Sequence, residues 1–190
     1  MFTWISKTLL LPLLMSGCVA PGSGDGNARQ TLALAGLRVV GPSGYCSLTN
    51  TRQRVSGSEF VAVVPCKGQG DMVLSATIGA PGSADGINLS AATLRPYFAT
   101  EEGKAALRGA GNRTDQIAVH AVQDIPGAVI LRVRRKSPGE VGESWRALMQ
   151  IKGQLITLSA RARQGKSVPE GSERRLIGQF VATMLAANTL

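Results

Sequence analysis

Histidine is almost missing from this chain of 190 residues, where His120 stands alone. Aromatic residues make up 4%, there are 12 acidic residues against 21 lysines and arginines, and cysteines number three. Each scarcity removes a class of chemistry. A Ser–His–acid hydrolase needs its histidine within hydrogen-bond reach of the nucleophile, and no G-x-S-x-G elbow accompanies His120; GPSGY at 41–45 has the wrong spacing. His120 falls in the middle of an expected strand, with Asp124 on the same face but about 13 Å further along. A zinc site built on Cys46 and Cys66 needs two more ligands, which one histidine cannot supply. H-x-x-x-H, Walker-lysine and calcium-loop patterns are absent as well, so neither metal nor cofactor is expected. Paired carboxylates of a glycosidase leave no sequence trace, because the fold sets their separation. Here the acids Glu101, Glu102, Glu140, Glu143, Glu170 and Glu173 fall mainly in turns or at helix starts, where capping, dipole pairing or solubility explains them.

Long apolar runs are missing too. The run from Thr8 to Met15 is far shorter than the roughly 20 residues that span a bilayer. With Lys7 before it and Ser16 and Gly17 after it, the run has the layout of a secretory signal. Met15-Ser16-Gly17-Cys18 resembles the lipobox of bacterial lipoproteins, with methionine where leucine is usual. That resemblance implies cleavage before Cys18 and acylation of its thiol, and several acyl chains on one residue give stable membrane anchoring. The alternative is an ordinary secretory signal cut between Ala20 and Gly24. Val19 is not the aspartate associated with inner-membrane retention, so the resemblance leans towards the outer membrane, facing the periplasm. The stretch from Ala20 to Thr31, APGSGDGNARQT, has no apolar period and reads as a flexible tether. The organisation expected is a signal over 1–17, the lipidated cysteine and tether over 18–33, and one domain over 34–190.

Assigning Cys18 to the membrane leaves Cys46 and Cys66, which pair without remainder in an oxidising compartment. C-x-x-C redox spacing is absent, so the bond is structural. The net charge is +9, and +8 once Lys7 leaves with the signal. In a cytosolic domain such a balance would suggest nucleic acid. Export removes that partner and leaves anionic envelope components, or a solvated basic surface that serves solubility.

Within the domain, LRVV at 37–40, FVAVV at 60–64 and MVLSATI at 72–78 read as strands. Ser90 and Thr100 are placed to cap two short helices, or one kinked at Pro96. Four alternating segments follow: 115–123, 127–135, 145–151 and 155–163. In the first, Ile117, Val119 and Ala121 are expected on one face and Ala118, His120 and Val122 on the other. The last two join at Lys152-Gly153, so they must be antiparallel. Leu176, Ile177, Phe180, Val181, Met184 and Leu185 form the apolar stripe of a closing helix, capped from Ser167 or Ser172.

The expected fold is α+β: an antiparallel sheet covered by a central helical segment and a C-terminal amphipathic helix. This order resembles the PsbP-like fold, mainly through the strand pair 145–163 leading into the last helix. GYC, VPC, EEGKAALR and ESWRALMQIKGQLITLS also resemble small uncharacterised Gram-negative envelope lipoproteins; neither resemblance implies an activity. Arg132, Arg134, Arg135 and Lys136 with Arg161 and Arg163 form an expected anion-binding cluster if the fold brings them together, since guanidinium forks suit phosphate. The functional expectation is a non-enzymatic, lipid-anchored binding or scaffold module for an envelope protein or an anionic envelope component. The alternative is an envelope hydrolase with a dispersed site.

Overall fold

The computed structural model describes residues 28–68, 70–108, 114–138 and 140–189. Cys18 and the lipobox lie outside the described residues. Ten strands and three helices follow in order: β1 (Ala28–Arg29), β2 (Thr31–Leu34), β3 (Leu37–Val40), β4 (Tyr45–Val55), β5 (Ser58–Pro65), β6 (Met72–Ile78), α1 (Ala91–Ala99), α2 (Glu101–Arg108), β7 (Gln116–Ile125), β8 (Ala128–Ser137), β9 (Glu140–Ile151), β10 (Gln154–Ala162) and α3 (Ser172–Asn188). The fold is α+β and mostly sheet.

Seven of the strands, with the two-residue β1 at one edge, form an antiparallel sheet of order β1-β4-β5-β6-β10-β9-β8-β7. It consists of two meanders, β4–β6 and β7–β10, joined where β10 pairs with β6 from Ile156 opposite Ile78 to Ala162 opposite Met72. Short turns make each meander antiparallel. The β4–β5 turn has positive φ at Ser56 and Gly57, the backbone of a tight hairpin turn. Cys46 and Cys66 tie the open end of that hairpin, with their sulfurs at bonding distance.

Alternation gives the sheet two apolar faces. On one, α3 and the β2–β3 ribbon enclose a core that includes Leu34, Val61, Leu74, Met149, Leu158 and Phe180. On the other, Leu94 and Phe98 of α1 and Leu107 of α2 pack with Ile117, Val122, Leu131 and Leu148. Both short helices begin as their caps require. Ser90 Oγ accepts from the Thr93 N–H at 3.2 Å, and Thr100 Oγ1 accepts from the Gly103 N–H at 3.1 Å. Asp124 Oδ1 also accepts from the Ala91 N–H at 2.8 Å, fastening α1 to the edge strand.

Three expectations are corrected. The folded part begins before residue 34, because Leu32 and Leu34 alternate into the core from β2. In β7 the register shifts between Val119 and Ala121, so a bulge exchanges the faces and puts Val122 with Ile117 in one core. His120 sits at the bulge and is exposed. In α3 the cap position is Gly171, which has positive φ and no side-chain bond, and Ser172 is already helical.

Glu59 is buried, with 2% of its side chain exposed, at the start of β5. It accepts hydrogen bonds from the guanidinium groups of Arg54 and Arg52, the latter at 2.9 Å, and from the Ala35 N–H at 3.3 Å. The Arg54 hydrogen bond holds its carboxyl below the usual carboxylate range, against the opposing effect of burial, and Arg52 adds to the shift. A depressed carboxyl contributes stability above its unfolded pKa, about 4.3, and loses it as pH falls through the folded value. Both arginines remain largely in solvent, so Glu59→Gln is expected to cost only about 1 kcal/mol at neutral pH. Urea unfolding across pH should show wild type and variant converging below pH 4. A constant gap would refute the assignment.

Candidate anion-binding site

The pleat decides where the basic residues go. Successive side chains of a strand point to opposite faces, so Arg134 and Arg135 cannot share one. Arg132, Arg134 and Lys136 lie on the α3 face of β8. There Arg132 Nη2 meets Glu143 Oε2 at 2.7 Å, with Glu170 and Glu173 also in electrostatic reach. Arg135 lies on the opposite face, as does Arg161 of β10. Arg163 follows the end of β10; its backbone N–H donates to Asp71 O at 2.7 Å, and its Nε is buried without a hydrogen-bond partner among the described residues. The expected cluster of six is therefore divided.

What the opposite face does bring together is Arg135, Arg161 and Arg146 of β9. They line a groove of about 410 Å³ with Phe60, Ala62 and Ser75. Arg146 comes beside β10 because Arg146 pairs with Ser159 and Trp145 with Ala160, which sets Arg161 on the diagonal. Glu143 also lines the groove, but its carboxylate is held by Arg132 on the other face. Arg135 is partly engaged: Nε lies 3.7 Å from Asp115 Oδ2, and Nη2 donates to Arg108 O at 3.1 Å. Among the described residues Arg161 makes no ion pair.

Arg146 is the distinctive member. Its Nη1 donates to Leu107 O at 2.6 Å, and no carboxylate pairs with it among the described residues. Burial, followed by the nearby charge of Arg135, lowers its pKa to about 10. A guanidinium carries five N–H donors, and among the described residues Arg146 commits one of them, to Leu107 O. An incoming anion would relieve the cost of holding this charge out of water.

Strand alternation over 145–151 groups Arg146 with Leu148 and Gln150 and gives it no role. Arg146 stands apart from the basic runs, and only the cross-strand register connects it to them. The one available signal was its position two residues before Leu148, an arginine sharing a face with an apolar residue. Elsewhere the described residues offer no group of three or more His, Cys, Asp and Glu able to hold a metal ion. They also contain no helix long and apolar enough to cross a membrane. Against known proteins, no protein-family model and no curated protein matches the chain.

Proposed function

We propose that this protein is a non-enzymatic, lipid-anchored cell-envelope protein that faces the periplasm, from the outer membrane, and binds an anionic envelope component on its open sheet face. The observation that carries the binding half is the meeting of Arg135, Arg146 and Arg161 in one groove, with Arg146 unpaired by any described carboxylate. Arginine forks favour phosphate and carboxylate ligands, and partial burial strengthens each contact. The anchoring half rests on the lipobox ending at Cys18 and the polar spacer after it. The likeness to the PsbP-like pattern belongs to the same reading. It is supported by the α1–α2 pair on one sheet face and the terminal helix on the other.

Each half has its own test. Mass spectrometry of the protein from its native envelope should find a chain beginning at an acylated Cys18. A chain beginning at Ala20 or later without acyl mass would overturn the anchor. For binding, the full chain with Cys18→Ser is titrated with glycerol phosphate and followed through its arginine Nε–H signals. Arg135, Arg146 and Arg161 should shift saturably, and the shifts should vanish at 1 M salt, where screening acts within about 3 Å. Shifts confined to Arg132 and Arg134 would put any anion on the wrong face and sink the proposal.

A further inference from the structure

Arg146 borders a second cavity. Beyond the groove, between the sheet and the two short helices, lies an apolar cavity of about 530 Å³. Its walls are Leu89, Leu94 and Phe98 from α1 and the loop before it, Leu107 from α2, and Leu148 and Leu155 from the sheet. Four large apolar side chains are exposed among the described residues, and two of them, Ile87 at 39% and Tyr97 at 38%, line this cavity. Arg146 lines both spaces, so a charged group stands where an apolar cavity meets a basic groove.

We propose that the cavity and groove together bind a single-chain anionic amphiphile, with its alkyl chain among Leu94, Phe98, Leu107 and Leu148 and its carboxylate or phosphate on Arg146. The size falls within the range of small-ligand sites, which are mostly apolar with a few placed polar groups. Charge complementarity selects the head group. Among the described residues Arg146 donates one N–H to Leu107 O, Arg161 lies in the same groove and makes no ion pair, and Glu143, which also lines the groove, is engaged with Arg132. A neutral lipid would leave the Arg146 charge as costly as before, and a short anion would leave the cavity unfilled. The head-group half rests on the anion-binding reading of the groove; the chain half stands on the cavity alone.

The test uses the full chain with Cys18→Ser, so that no acyl group of its own competes. Calorimetry below micellar concentrations compares butyrate, octanoate, decanoate and dodecanoate, then dodecyl phosphate and uncharged dodecyl maltoside. Dodecanoate and dodecyl phosphate should bind one to one. Affinity in the carboxylate series should rise about three- to fourfold per added methylene until the cavity is full. Binding of either anion supports the proposal, and the stronger identifies the head group. Arg146→Met should weaken both anions roughly tenfold or more, as expected for a lost hydrogen-bonded charge. Ala106→Trp, at an exposed position on the cavity wall, should abolish the chain-length dependence. Affinity that ignores chain length overturns the proposal, and glycerol phosphate binding in the same sample would show that the groove reading survives without it. Chain-dependent binding indifferent to Arg146→Met, or equally tight binding of dodecyl maltoside, overturns it from the other side.

Discussion

Phe180→Ala is expected to lower the unfolding free energy by about 3–5 kcal/mol, the largest single effect in this fold. The side chain is fully buried on α3, within a core that draws on the sheet and the β2–β3 ribbon together. Truncation removes its transfer free energy and leaves a space that close-packed neighbours such as Met149 and Leu158 cannot collapse to fill. For a domain of this size the melting temperature should fall by roughly 6–20 °C. Thermal and denaturant unfolding followed by circular dichroism measure it. A loss under about 1 kcal/mol would mean that α3 docks loosely and that the core depends on the sheet alone. Polar ties argue against loose docking: the Asn188 side chain donates to Arg38 O at 2.8 Å and accepts from the Arg38 N–H at 2.9 Å.

Opening the Cys46–Cys66 bond should cost about 3 kcal/mol in the chain-entropy model, for a separation of 20 residues. The bond spans the open end of the β4–β5 hairpin, where Cys46 is opposite Val64 and Tyr45 is opposite Pro65. Its contribution comes mainly from restricting the unfolded chain, so Cys46→Ala/Cys66→Ala should keep the strand pairing but unfold at lower denaturant. Unfolding the Cys18→Ser protein with and without reductant makes the same comparison without changing the core. Equal midpoints, or equal thiol counts on the denatured protein before and after reduction, would refute the bond.

Much of the element list could be read locally. The strands at 37–40 and 72–78 coincide with β3 and β6, and Ser90 and Thr100 cap the helices as their spacing implies. Strand period, turn residues and caps are short-range effects, so a few neighbouring residues specify them. The misses share a different cause. β2 was hidden because Leu32 and Leu34 gain their meaning only from a core supplied by distant strands. The β7 bulge reverses the face of every later residue in that strand, and no composition marks it. The pairing of β6 with β10 depends on both meanders closing against each other across a long stretch of sequence.

By itself the sequence determined the two-faced strands, the amphipathic last helix and the basic balance. These follow from residue periodicity and counting, which need no partner in space. Tertiary structure decided which charges meet. The pleat sends Arg132, Arg134 and Lys136 to the α3 face, where Arg132 meets Glu143. Strand register carries Arg135, Arg146 and Arg161 into one groove beside an apolar cavity. Side chains adjacent in sequence point apart across a sheet, and side chains distant in sequence are neighbours once the strands pair.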